Sequence, residues 1–164
     1  MTDAHAIRIH QTGGPEVLQW EPIGIRQPGA GEALVRQSAV GLNYIDTYHR
    51  SGLYPIKLPG ILGTEGAGVV EAVGEGVTHL APGDRVAYVG FGTYATHYTG
   101  GAAGMLKLPG TVSEAEGAAL VLKGLTAWML LFEVRSTPMG EWALVWAPAG
   151  GVGSLLVPWA SSLG

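Results

Sequence analysis

Trp142-Ala143-Leu144-Val145-Trp146-Ala147 runs directly into Pro148-Ala149-Gly150-Gly151-Val152-Gly153. The first run is wholly apolar, as a buried strand of the parallel type would be. The second is a glycine turn, and a helix is expected beyond it. Strand, glycine turn and helix in that order open a dinucleotide-binding fold. There, amide N–H groups at the helix N-terminus point at a diphosphate, and a side chain would block its approach. Gly151 and Val152 are the foremost phosphate contacts, with Gly150 and Gly153 at the second and third glycine positions of the G-x-G-x-x-G pattern. Pro148 takes the first and has no N–H to donate. Pro158 lies about two turns into the expected helix, where proline costs ~3 kcal/mol, so a kink or an early end is expected.

Upstream of this stretch, Met139-Gly140-Glu141 turns the chain. Before that, Ser113-Glu114-Ala115-Glu116 fits a capping box, with Ser113 as N-cap and Glu116 reaching back, ahead of an apolar segment to about Phe132. Gly124 is a candidate break in that segment. The first hundred residues have a different character, with short strands between turns. Ala6 to His10 alternates, Gly13-Gly14-Pro15 turns, and Val17 to Trp20 is a second candidate strand. Glu32 to Val40 is a longer one. Tyr44 to Arg50 reads as a helix ending at Gly52, and Pro55, Pro59 and Gly60 enforce an irregular loop. Gly66 to Val73 and Arg85 to Val89 are β-rich around the turn Ala81-Pro82-Gly83-Asp84, and Tyr94 to Tyr98 alternates again. Strands at this spacing predict a barrel or folded sheet.

Composition narrows the function. The chain has 164 residues, 47% hydrophobic and 13% charged, enough for a sizeable core. A net charge of -4, with the basic residues scattered singly, excludes a nucleic-acid footprint. The absence of cysteine removes disulfides and thiolate metal sites. Met1-Thr2-Asp3-Ala4-His5 carries no basic stretch before an apolar run, so no secretory signal is read and the cytoplasm is expected. Trp142 to Gly164 is uncharged and long enough to span a bilayer, but Pro148, Pro158 and the glycines argue against a membrane.

Taken in order, Gly13-Gly14-Pro15-Glu16-Val17-Leu18, Gly41-Leu42-Asn43-Tyr44-Ile45-Asp46-Thr47-Tyr48 and Gly63-Thr64-Glu65-Gly66-Ala67-Gly68 resemble the medium-chain dehydrogenase/reductase superfamily, in its zinc-independent quinone oxidoreductase (zeta-crystallin-like) branch. Pro82-Gly83-Asp84-Arg85-Val86, Lys123-Gly124-Leu125-Thr126-Ala127 and Ala149-Gly150-Gly151-Val152-Gly153 agree, in register. The resemblance implies a mixed α/β chain. A GroES-like β-rich, partly open barrel occupies 1–135, lacking its C-terminal return segment, and 136–164 begin a truncated Rossmann domain. It further implies NADPH in a cleft between the two domains. Relatives continue for about as long again, so an N-terminal half, inactive alone, is expected.

Zinc-dependent members place cysteine and histidine ligands where Asn43 and Thr64 stand here; neither is such a donor, and no metal is expected. His5, His10, His49, His79 and His97 show no ligand spacing. Metal-free reduction needs a hydride from nicotinamide and a hydrogen-bond donor for the oxygen on which charge builds. By resemblance, Asn43 and Tyr48 lie nearest the acceptor, a quinone or enone. Tyr44, Ile45, Asp46, Thr47 and Tyr48 line the nicotinamide side, and Thr126 helps place the nicotinamide. A plainer reading has Asn43 cap the Tyr44 helix, with Asp46 a solvated first-turn carboxylate; Lys123 reads as a helix lysine with its stem along the surface. Two alternatives stand beside quinone reduction. One is enoyl-thioester reduction in the same superfamily. The other is a non-catalytic oligomeric scaffold, in which the uncharged C-terminus packs on a partner chain; self-association, a homodimer foremost, is expected in either case.

Overall fold

In the computed structural model, residues 4–135 and 138–164 are described. Eight strands and three α-helices follow one another in that span. β1 is His5–Ile9, β2 Gln19–Pro22, β3 Glu32–Val40, α1 Tyr44–Ser51, β4 Gly60–Ile61, β5 Glu65–Val73, β6 Arg85–Val89, β7 His97–Gly101, β8 Met105–Lys107, α2 Glu114–Trp128 and α3 Gly153–Ser162. All pairings are antiparallel, giving a three-stranded sheet β2-β1-β4 and a five-stranded sheet β7-β3-β5-β6-β8. By compactness the chain divides into Met1–Ala119 and Leu120–Gly164. The boundary expected at 135/136 touches residues 136 and 137, outside the described residues, and stays a proposal; the reading of Met1 to Asp3 likewise lies outside them.

The core of the first unit gathers Ala33 and Val35 of β3, Val70 of β5, Val86 and Tyr88 of β6, Leu80, Ala102 and Met105. Each buried Val, Leu or Met contributes about 1.5–3 kcal/mol relative to exposure. A smaller cluster joins Ile9, Val17 and Leu62. Val17 was expected to start a strand, but Pro15 opens a 3-10 turn over Pro15–Val17 and the strand begins at Gln19. Proline's fixed φ suits the start of such a turn, and burying Val17 closes it. The strand expected over Tyr94 to Tyr98 is likewise displaced to His97–Gly101. Tyr94 and Thr96 instead tie to β1, with Ile7 N–H donating to Tyr94 O at 2.7 Å and Thr96 N–H to His5 O at 2.8 Å.

Glu32, at the start of β3, is gripped by Arg26, whose Nη1 and Nη2 lie 2.6 and 2.8 Å from its two oxygens; Gly29 N–H donates to it at 2.9 Å. The Arg26 bond, then the Gly29 bond, hold its carboxyl down to about 2. A folded-state value below the unfolded one means the stabilisation is full above the unfolded carboxylate range, about 4.3, and is lost as pH falls through about 2. Urea unfolding of the protein and of Glu32→Gln across that window checks it. The difference between the two should shrink with acid, and a constant gap would refute the assignment.

Ser113 caps α2 as expected, with Glu116 N–H donating to Ser113 Oγ at 3.3 Å and Ser113 N–H to Glu116 Oε2 at 2.8 Å. Gly124 does not divide α2, which runs unbroken to Trp128 and relaxes into a π-turn over Met129–Val134. A β-carbon at Gly124 would meet nothing within 4 Å. Gly124→Ala should therefore raise stability by about 0.5–1 kcal/mol, seen as a higher Tm. Pro158 does not end α3 either, since the helix continues to Ser162. Trp142–Ala147, expected as a strand, has no ladder partner among the described residues; Trp142, Leu144 and Trp146 are exposed, and Ala147 takes φ 52°. A parallel strand exists only beside another strand, and none of this unit's described residues forms one. The turn and helix parts of the predicted unit are present.

Two segments approach membrane-spanning length or composition. The uncharged Trp142 to Gly164 holds a helix of only 10 residues, roughly 15 Å against a hydrocarbon core of about 30 Å. Glu114–Val134 is long and apolar enough on composition alone, as core helices of soluble proteins also are.

Candidate active site

In the first unit the site is built where β3 ends and β5 begins. Gly41 N–H donates to Glu65 O at 3.1 Å, which brings the Asn43 turn against Thr64 and Glu65. A β-carbon on Gly41 would sit 2.1 Å from Glu65 Oε1 and 2.2 Å from its Cγ, so only glycine allows this approach. Asn43 then caps α1. Its N–H donates to Asp46 Oδ2 at 2.9 Å, and the helix closes on Gly52 at φ 86°.

Asp46 is not the solvated carboxylate of the plainer reading. It is 3% exposed, and besides Asn43 it accepts from the Tyr94 hydroxyl at 2.7 Å and the Thr64 hydroxyl at 3.3 Å. The cause is tertiary. Gly63 takes φ 98°, and its missing side chain leaves room for Tyr94, whose Cδ1 would lie 2.5 Å from a β-carbon there. Gln37 holds the same loop by donating from Nε2 to Thr93 O at 2.9 Å and Ala95 O at 2.6 Å, while accepting from the Tyr88 hydroxyl at 2.9 Å. Burial, and then the bond to Asp46, raise the Tyr94 phenol well above its ordinary range, so it stays a donor.

Asn43 spends both amide hydrogens inward. Nδ2 lies 2.8 Å from Glu65 Oε1 and 3.2 Å from Thr64 Oγ1, and Glu65 is fully buried. Tyr48 is half-buried, edge-on to Tyr44 and Tyr54 with ring centroids at 5.3 Å in both cases. Its hydroxyl has no hydrogen-bond partner among the described residues. Tyr44 is exposed and Ile45 half-buried. The Thr47 hydroxyl turns back onto Tyr44 O at 2.6 Å. Beside these residues, an open cavity of ≈ 430 Å³ lined by Ile7, Trp20, Val40, Leu42 and Tyr94 borders the Gly41-Leu42 link but touches neither Asn43 nor Tyr48.

In the second unit Thr126 donates to Leu122 O at 2.8 Å within its own helix. Gly150 and Gly151 are exposed, Val152 is half-buried and Gly153 is buried. Gly150 N–H closes the turn onto Ala147 O at 2.9 Å; the N–H groups of Gly151, Val152 and Gly153 find no backbone acceptor among the described residues, and no side chain caps α3. Those are the donors a diphosphate would take. Gly153 also serves packing, since a β-carbon there would lie 2.3 Å from Ala147 O. The Lys123 stem lies over the turn, its Cδ 3.1 Å from where a Gly151 β-carbon would be.

Sequence reading did not single out Glu65, Gln37 or Tyr94. An acid inside the apolar, glycine-rich run Gly63 to Val70 was the available signal for Glu65. Among the described residues no group of three or more His, Cys, Asp or Glu could hold a metal ion, and the polar atoms of Asn43 and Thr64 face one another.

Comparison with known proteins bears on this geometry. Residues 29–123 match the alcohol dehydrogenase GroES-like domain. Quinone oxidoreductase of Pseudomonas aeruginosa is 45% identical over 98% of this chain and 50% of its own. Among solved structures, quinone oxidoreductase of Pseudomonas syringae pv. Tomato superposes with a TM-score of 0.93 at 49% identity. That of Escherichia coli complexed with NADPH gives 0.93 at 44%; each covers 98% of this chain and 50% of the other. The chain thus spans about half the length of the relatives it matches.

Proposed function

Because the chain belongs to the alcohol dehydrogenase GroES-like domain family, within the medium-chain dehydrogenase/reductase superfamily, we propose that it serves NADPH-dependent, metal-free reduction of quinones. The observation that carries the reading is 44–49% identity with quinone oxidoreductases over nearly its whole length, one of them complexed with NADPH. The unspent N–H groups at Gly151, Val152 and Gly153 suit a diphosphate, and the bound nucleotide would supply hydride. On the acceptor side Tyr48 offers its hydroxyl to the carbonyl oxygen that gains charge. Tyr44 and Ile45 supply apolar surface beside it, and Asp46 and Thr64 hold the α1 N-terminus rigid. Metal-free chemistry accords with Asn43 and Thr64, which have no thiolate or imidazole to offer a zinc ion. A cytoplasmic place accords with the absence of cysteine, and self-association with exposed Trp142, Leu144 and Trp146.

The test grafts these 164 residues in place of the matching half of the Pseudomonas aeruginosa relative and follows NADPH absorbance with a quinone. Quinone-dependent NADPH oxidation is expected of the chimera and not of the 164 residues alone. A folded, NADPH-binding chimera that leaves quinones untouched, or prefers an enoyl thioester, would sink the quinone reading.

A further inference from the structure

We propose that Glu65 is a positioning residue. It fixes the Asn43 carboxamide with both hydrogens inward and its oxygen on the first turn of α1, so that donation to the acceptor's oxygen is left to Tyr48. A primary amide has two N–H donors and one acceptor oxygen. Here one donor goes to the buried Glu65 carboxylate at 2.8 Å and the other to Thr64 Oγ1 at 3.2 Å. A carboxylate can only accept, so its presence decides which way the amide faces. Thr64 strengthens the same choice, because its hydroxyl proton is committed to Asp46 Oδ1 at 3.3 Å and its oxygen must accept. Asp46 is itself fixed by Asn43 N–H and the Tyr94 hydroxyl. Turning the amide outward to donate to a quinone would break both the charge-assisted bond to buried Glu65 and the bond to Thr64 Oγ1, a cost that one outward hydrogen bond does not recover. Gly41 belongs to the device, since any side chain there would occupy the place of the Glu65 carboxylate.

The assignment of Asn43 against Tyr48 rests on the proposed function; the locking of Asn43 by Glu65 does not, and its test needs neither NADPH nor quinone. The 164-residue chain labelled with 15N and 13C shows the side-chain amide hydrogens of Asn43 and, as an internal control, of Gln37, which donates only to Thr93 O and Ala95 O. In the unaltered protein, coupling across the hydrogen bond from Asn43 Nδ2 to the Glu65 carboxyl carbon is expected. Glu65→Leu should speed solvent exchange of the Asn43 amide about tenfold or more while the Gln37 amide changes less than about twofold, because only the former loses a charge-assisted bond. Glu65→Gln, whose carbonyl still accepts, should restore protection, and Gly41→Ala should mimic Glu65→Leu. Equal acceleration at Asn43 and Gln37 would mean general loosening and would overturn the proposal. Should Glu65→Leu not fold, absence of the coupling in the unaltered protein overturns it alone. Loss of quinone reduction in the chimera with these signals intact would defeat the functional reading and leave the lock standing.

Discussion

Gly68→Ala is expected to lower stability by about 3 kcal/mol or more, a fall in Tm of roughly 6–12 °C for a chain of this size. Gly68 sits on β5 opposite Gln37, at the place where the β3 register shifts between Gln37 and Ala39. The strand bends there, and the backbones approach so closely that a β-carbon on Gly68 would lie 2.1 Å from Arg36 O and 2.8 Å from Gln37 Cα. Backbone atoms cannot swing aside as a side-chain tip can. The methyl group would force β3 and β5 apart along the longest ladder among the described residues, loosening the Val35 and Val70 core beneath it. Gly101→Ala, where a β-carbon meets nothing within 4 Å and φ is not positive, is the control and should change Tm little. Thermal unfolding of the two variants side by side decides the matter; similar losses in both would show that the close approach is not what makes glycine necessary.

Tyr48→Phe is expected to cut quinone-dependent kcat of the chimera about 10²–10³-fold, the loss typical when one donor to a developing oxyanion is removed. The phenylalanine ring keeps the edge contacts with Tyr44 and Tyr54, so Tm should stay within a degree or two, about the noise of a surface change. The hydroxyl makes no hydrogen bond among the described residues, so no internal partner is stranded. KM for NADPH should hold, since the variant removes an interaction made in the transition state rather than nucleotide binding. Unaltered kcat would take Tyr48 out of the reaction and assign the donor role to another group.

Part of this protein could be read directly from the order of its residues. Short strands between glycine and proline turns predicted the β-rich first unit, and Asn43, Asp46 and Gly52 bracketed α1. Ser113 and Glu116 marked the start of α2. These are local effects, in which capping donors, fixed φ angles and glycine's freedom act within a few residues. The misreadings share one cause. Pro158 and Gly124 looked like breaks because their intrinsic costs are known, yet a helix carries on when the rest of its turn is satisfied. Trp142–Ala147 looked like a strand because it is apolar, but a strand is a relation between two segments.

Local sequence, then, determined the β-rich unit, the caps of α1 and α2 and the glycine turn before α3. Tertiary structure alone decided that Asp46 and Glu65 are buried, that Tyr94 reaches Asp46 across 48 positions of chain, and that Asn43 faces Glu65 rather than solvent. The physical reason is range. Capping and turn formation are settled by neighbours in sequence, whereas the burial of a carboxylate and the direction of an amide depend on donors and acceptors that only the packed sheet brings within 3 Å of one another.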